Sequence, residues 1–258
     1  MDMATKVRIL PFFRAQPRKG VIKADHVVRF DIHQRIQHIL MMSSFSLLAL
    51  TGLPLKFYDN AVSQWWVALW GGVESTRAIH HFFAWVMVFD CAYHLAYLGC
   101  TTIILKRPFP VEMIPSPKDF FDLLADLRYY FGLSPERAKY GRFNYREKFD
   151  YWAVFWGIFI MAGSGFILMF PVLVSKLVPG WIVPTALVAH SDEAILAVSW
   201  IVIVHLFFAH LAPNIFPFNK SIFTGRVPKQ RYEHEHPLEY ERMVAADRES
   251  RAKEEPNA

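Results

Sequence analysis

The chain has 258 residues, of which 53% are hydrophobic and 16% aromatic, with a net charge of +5. That is too apolar for an ordinary soluble domain and suits a small helical membrane protein. The two cysteines, Cys91 and Cys100, share one apolar run without a CxxC or CxxCH, which excludes a disulfide framework, a zinc ribbon and a covalently attached c-type haem.

Residues 1–31 form a basic arm, with Lys6, Arg8, Arg14, Arg18, Lys19, Lys23 and Arg29 interrupted by Pro11 and Pro17, and are expected to be extended or irregular. No secretory signal is read, because the first apolar run is too long and no small-residue cleavage pattern follows it. That run is a first span of about 32–57. Trp65, Trp66 and Trp70 then suggest a short helix at the membrane interface. A second span covers about 77–105. Segment 106–147 is polar and holds one amphipathic helix candidate, DFFDLLADLRYYF. Spans three and four follow at about 149–170 and 187–211, completing a four-span membrane domain over 32–212. The charged tail, 213–258, loses its apolar runs and is expected to be loosely ordered beyond about residue 230.

Lys and Arg cluster in the arm, the 106–147 loop and the tail. The other two connections carry almost none: Lys176 in one and Arg77 at the edge of the other. The positive-inside rule therefore places both termini and the long loop in the cytoplasm. The expected fold is all-α: an integral membrane four-helix bundle with an amphipathic helix in its long inner loop.

This topology sorts the histidines by depth. His80 and His190 fall near the outer face, and His38, His94 and His205 toward the inner face. Membrane-embedded histidines are costly and mark function. One from each of two helices at each of two levels is a pattern suited to two stacked haems. His80 with His190 is the clear outer solution. The inner level has three candidates for two positions, and spacing alone favours His94 with His205: fourteen residues separate His80 from His94, about 21 Å of rise with only about 40° of rotation. Asp90, one turn before His94, could orient that imidazole or hold it as a hydrogen-bonded pair. Arg35 and Arg77 lie within a turn of these histidines, where haem propionates could pair with them. MAGSGF in span three offers small residues for close approach. His33 and His210 sit at the inner edge and read as interfacial polar residues, with His210 an alternate ligand.

Four stretches, in order, resemble one family: RIQHILMMSSFSLLALTGL, RAIHHFFAW, YGRFNYREKFDYWAVFWG, and the HSDEA, VHLFFAH and SIFTGRV segments of span four and beyond. The chain resembles the di-haem cytochrome b (gamma) subunits of membrane-bound formate dehydrogenases and nickel–iron hydrogenases, which are cytochrome b561-like. The resemblance implies His38 with His205 on an inner haem b, His80 with His190 on an outer one, and Asn144 beside an inner quinone pocket. It also implies a multi-pass protein of the bacterial or archaeal cytoplasmic (inner) membrane, an electron-transfer subunit of a quinone-linked oxidoreductase complex. The span-four pair is fifteen apart here instead of the family's usual fourteen, which calls for a local helix irregularity or a shifted ligand. His94 and His210 are extra, so three haems stand as the alternative to two. The partner subunit is a periplasmic dehydrogenase, an iron–sulfur or multihaem cytochrome module, or a cytoplasmic redox module.

Two other classes compete. HxxxxH at His33/His38 and His205/His210, with His80–His81, superficially matches the histidine boxes of a non-haem di-iron membrane oxygenase or desaturase, but that chemistry needs every ligand on one side of the membrane. A cofactor-free membrane anchor explains the spans and not the histidine depths. No hydride, phosphate or nucleic-acid motif is present, and no nucleic-acid partner is expected.

Overall fold

A computed structural model describes residues 21–254 except 24 and 214; residues 1–20 of the basic arm lie outside the described residues. The chain divides into two compact units. One holds the described residues up to 36 with 139–142 and 220 onward, and the other 37–138 and 143–219.

Four helices are long and apolar enough to cross a membrane: Ile32–Lys56, Val73–Ile104, Tyr145–Met169 and Ile182–Leu211. They contain α1 (Ile32–Lys56), α3 (Val73–Gly99), α5 (Tyr145–Met169) and α7 (Ile182–Trp200). No more than 17% of any span's apolar window is buried by protein, so their apolar surface is left for lipid. What the helices bury is mostly polar: Ser44, Thr51, Thr76, Asp90, Thr101 and Ser164 are each less than 10% exposed. The hydroxyls satisfy themselves on carbonyls one turn back, as Ser44 does on Leu40 and Thr76 on Gly72, which a bilayer core requires. The protein is an all-α membrane bundle.

The helices run past their apolar windows because caps, and not hydropathy, set helix ends. Asn144 Oδ1 accepts from Glu147 N and Glu147 Oε2 from Asn144 N, each at 3.0 Å, so α5 begins in its polar first turn. Pro184 is tolerated in the first turn of α7. Span two continues beyond α3 through a widened turn, Cys100–Ile104, with i→i+5 hydrogen bonding. Span four does so twice, at Ile201–His205 and Phe207–Leu211.

Between α1 and α3 lies α2 (Ala61–Leu69), the Trp-rich helix, capped by Asn60; Trp66 Nε1 donates to the Leu50 carbonyl at 2.8 Å. In the 106–147 segment a single 3₁₀ turn at Val111–Met113 precedes α4 (Pro117–Tyr130), the amphipathic helix. Its Phe120, Phe121, Leu124 and Leu127 are exposed. Its polar side is pinned. Asp126, fully buried, accepts from Tyr145 OH, Arg146 Nη1 and Ala138 N, each at 3.2 Å. Asp119 accepts from Ser116 N at 2.6 Å and pairs with Lys148 at 2.9 Å. The short α6 (Pro171–Val174) leads from α5 toward α7.

The other unit is a small mixed structure. Strands β1 (Val21–Ile22), β2 (His26–Val28) and β3 (Arg226–Pro228) form an antiparallel sheet in the order β1-β2-β3, with Val27 opposite Val227. It also holds α8 (Ser221–Thr224), α9 (Lys229–Glu235) and α10 (Pro237–Glu254). The tail is therefore ordered well past residue 230, contrary to the sequence expectation. The reason is a core of four residues, Val27, Val227, Tyr232 and Met243, none within a long apolar run and so invisible to a hydropathy window. His33 is also buried. Gly225, with φ of 75°, closes the SIFTG turn; its carbonyl accepts from Arg29 N at 2.8 Å, and a Cβ there would stand 2.5 Å from the Phe30 carbonyl oxygen.

Gly225→Ala should therefore destabilise this unit by more than about 1 kcal/mol, read as faster proteolytic cleavage within residues 220–240. Burial pushes the Asp119 carboxyl up, but the hydrogen bond from Lys148, those from Ser116 and the Lys148 charge outweigh it and hold the group below its ordinary value. A depressed carboxylate stabilises above its unfolded value and loses that contribution as pH falls through the folded one. The first turn of α4 should stay protected from hydrogen exchange at neutral and mildly acidic pH, loosening only below about pH 4. Asp119→Asn should loosen it at pH 7.

Candidate functional site: two histidine pairs

Span three supplies no histidine, and spans one, two and four supply four that meet in two pairs. At one end of the bundle the His80 ring from α3 and the His190 ring from α7 have centroids 6.3 Å apart, inclined at 68°. Toward the other end the His38 ring from α1 and the His205 ring from span four stand 6.4 Å apart, inclined at 31°. Fifteen residues along span four separate the levels, about 22 Å of rise.

The tethers on these rings fix which nitrogen is available. Thr51 Oγ1 stands 2.9 Å from His80 Nδ1, and its own proton is engaged by the Leu47 carbonyl at 2.6 Å. With its proton on that carbonyl, the hydroxyl oxygen accepts and Nδ1 carries the hydrogen. Ser164 does the same for His190: 3.0 Å to Nδ1, with its proton directed to the Ile160 carbonyl at 2.5 Å. His205 Nδ1 lies 2.9 Å from Asp150 Oδ2, an acceptor. In all three rings the hydrogen sits on Nδ1 and the lone pair is left on Nε2, the tautomer of a metal-ligating imidazole with an oriented second nitrogen. His38 differs: its Nδ1 is buried with no hydrogen-bond partner among the described residues, so packing sets its orientation.

Two glycines make room for the first pair. A Cβ on Gly52 would stand 2.9 Å from His80 Cε1, and one on Gly165 would stand 3.2 Å from His190 Cε1. Gly163, two residues from Gly165, would meet nothing within 4 Å.

The widened turn at Ile201–His205 explains how fifteen residues can join the two levels. In a regular helix His205 would be turned about 60° from His190. Residues closed by i→i+5 bonds wind less per step, and five of them lag by tens of degrees, so both rings face their partners.

The remaining sequence candidates stand elsewhere. His94, which spacing alone pairs with His205, lies between α1 and α5. Its Nδ1 is 3.0 Å from Gln37 Oε1 and its Nε2 is 3.0 Å from Tyr151 OH. Asp90 does not hold it: that carboxylate is 2% exposed and its Oδ1 has no hydrogen-bond partner among the described residues. The His210 ring stacks on Phe218 at 4.4 Å, and its Nδ1 accepts from Asn219 N at 3.2 Å. Arg35 donates to the Phe223 carbonyl, and Arg77 pairs with Glu74 at 3.2 Å. Asn144, besides any other role, caps α5 through Oδ1. Sequence reasoning missed the tethers Thr51, Ser164, Asp150, Gln37 and Tyr151. Only Asp150, a charge immediately before the apolar run YWAVFWG, left a visible signal.

The fold and these pairs define a class: a multi-pass helical membrane protein presenting two opposed imidazoles at each of two levels. The model of the prokaryotic cytochrome b561 family matches residues 29–225, and the chain belongs to that family. It is 23% identical over 232 residues, 90% of this chain and 98% of the relative, to the cytochrome b556(Fdn) subunit of the nitrate-inducible formate dehydrogenase of Escherichia coli (strain K12). The same figures hold for the corresponding subunit from Shigella flexneri. The chain is thus a haem b-carrying membrane cytochrome that acts in electron transfer, in the prokaryotic cytoplasmic membrane.

Gly165→Val should lower the haem-to-protein ratio of the purified protein by pushing the His190 ring aside, whereas Gly163→Val should leave it unchanged.

Proposed function

We propose that the two pairs would hold two b haems, His80 with His190 one of them and His38 with His205 the other. The observation that carries this is the matched ring separation. An imidazole nitrogen bonds a metal at about 2 Å; with the ring-centre offset on each side, two axial rings stand about 6 Å apart, as both pairs do. Three Nε2 lone pairs left available by Nδ1 tethers support the same reading. His94 has both nitrogens engaged and His210 is stacked, which supports two haems over three. When bound, a b haem supplies a one-electron ferric/ferrous couple.

By the distribution of Lys and Arg, the termini and the 106–147 loop are cytoplasmic, His80 and His190 near the outer face, and His38 and His205 toward the inner face. The chain passes electrons between a redox partner subunit and the quinone pool. The name of the E. coli relative, a subunit of formate dehydrogenase, supports a dehydrogenase module as the partner at the outer face. Quinone would react on the cytoplasmic side near Asn144 and His205, with its protons exchanged there. Arg35 and Arg77 are the cations nearest in sequence to ligand histidines, at hand for propionates.

The di-iron reading has less support. Among the described residues no group of three or more His, Cys, Asp or Glu side chains is placed to hold a metal ion, whereas opposed pairs suit a ligand that brings its own equatorial donors.

The test is haem content with reduced-minus-oxidised spectra on purified protein. Wild type should carry two b haems, His38→Ala and His80→Ala one each, and His94→Ala two. Absence of haem in the wild type, or loss of one in His94→Ala but not in His38→Ala, would overturn the assignment. For the quinone site, Asn144→Asp keeps a capping oxygen and removes the amide donor; it should slow haem reduction by a short-chain quinol at least about tenfold while haem content holds.

A further inference from the structure

The two histidine pairs are tethered by different chemistry. At His80 and His190 the acceptors are hydroxyls whose protons are committed to backbone carbonyls. At His205 the acceptor is a carboxylate, Asp150 Oδ2, at 2.9 Å. The other oxygen of the same carboxylate, Oδ1, accepts from the indole Nε1 of Trp200 at 2.7 Å, and the Trp200 ring is itself held against Phe149 with centroids 4.5 Å apart. One side chain on α5 thus receives two N–H groups from span four, one on each oxygen.

The widened turn makes this possible. Trp200 and His205 are five residues apart, which on a regular helix puts their side chains about 140° apart, too far round for one carboxylate to reach both. Closing the intervening residues with an i→i+5 bond, Leu206 N to the Ile201 carbonyl, brings residues five apart onto nearly the same face. The irregularity that carries fifteen residues between the two levels also builds the clamp on Asp150.

We propose that Asp150 is the positioning residue that sets the redox potential of the haem held by His38 and His205, and that Trp200 tempers it; this rests on the ligand assignment above. An imidazole whose Nδ1 hydrogen is drawn toward a carboxylate gains electron density at Nε2 and becomes a more basic ligand. Such a ligand, with a negative charge just behind it, favours the ferric over the ferrous state, because reduction removes one positive charge from the iron. The couple is held lower than a hydroxyl tether would leave it. The Trp200 hydrogen bond withdraws charge from the carboxylate and limits the effect. Opposite signs follow for removing the two groups.

The experiment is a redox titration, followed at the haem α-bands, of purified holoprotein in nanodiscs. It compares wild type, Asp150→Asn, Asp150→Glu, Trp200→Phe and, at the other pair, Thr51→Val. Asp150→Asn should raise one midpoint by about tenfold in ferric/ferrous preference, about 59 mV for a one-electron couple, and leave the other in place. Asp150→Glu should restore most of the shift. Trp200→Phe should lower the same couple, and Thr51→Val should leave it unmoved. General loosening of the bundle would move both couples together and would not reverse sign between Asp150→Asn and Trp200→Phe. Two haems with neither midpoint displaced in Asp150→Asn, or with both displaced alike, overturn the inference. Should Asp150→Asn shed its haem, Trp200→Phe decides, and an unmoved couple there overturns it. A wild type without two haems would instead overturn the ligand assignment, so the two failures are distinct.

Discussion

An imidazole inside a bilayer has two nitrogens that cannot both be left to hydrocarbon, and that constraint organises this bundle. Each leftover polar atom there costs several kcal/mol. Three of the four paired histidines meet it in one way, by giving Nδ1 to an acceptor on a neighbouring helix: Thr51 on α1, Ser164 on α5 and Asp150 on α5. The acceptor fixes the ring's rotation and its tautomer together. His94 meets the same constraint with both nitrogens, on Gln37 and Tyr151, and so ties three helices together without presenting a lone pair. The difference between the paired histidines and His94 is whether the second nitrogen is used.

The bundle is built around these polar contacts and not around an apolar core. Its buried side chains are mostly polar, among them Ser44, Thr51, Thr76, Thr101, Ser164, Asp90 and Gln37, while many of its Phe, Leu and Trp side chains are exposed for contact with lipid. Helices α5 and α7 make the most extensive helix–helix contact, and both tethers of span four, Ser164 to His190 and Asp150 to His205, lie along it. The glycines against His80 and His190 fit the same scheme: where a flat ring lies against a backbone, a methyl group would crowd it.

Much of this was legible in the sequence. Four apolar stretches gave the four spans, the scarcity of Lys and Arg in two connections gave an orientation, and two histidines fifteen apart in one span gave two levels. The amphipathic helix at 117–130 and the Trp-rich α2 were readable from residue type and period. The ordered tail was not. Its core is four residues drawn from both ends of the chain, none within an apolar run, and long-range pairing of that kind leaves no local signature.

The sequence by itself determined the membrane architecture, because hydrocarbon admits so few backbone solutions that hydropathy and charge nearly specify it. It also determined which level each histidine occupies, since rise per residue is fixed. Spacing and depth left the inner pair open, and the tertiary structure decided which of its rings meet. The choice between His38 and His94 as the neighbour of His205 turns on helix azimuth and on where Gln37, Tyr151 and Asp150 stand. The fifteen-residue spacing makes sense only with the widened turn at Ile201–His205, whose five-residue register also brings Trp200 and His205 onto one carboxylate of another helix. No window along the chain contains that information, because the contact joins residues 50 and 55 positions apart.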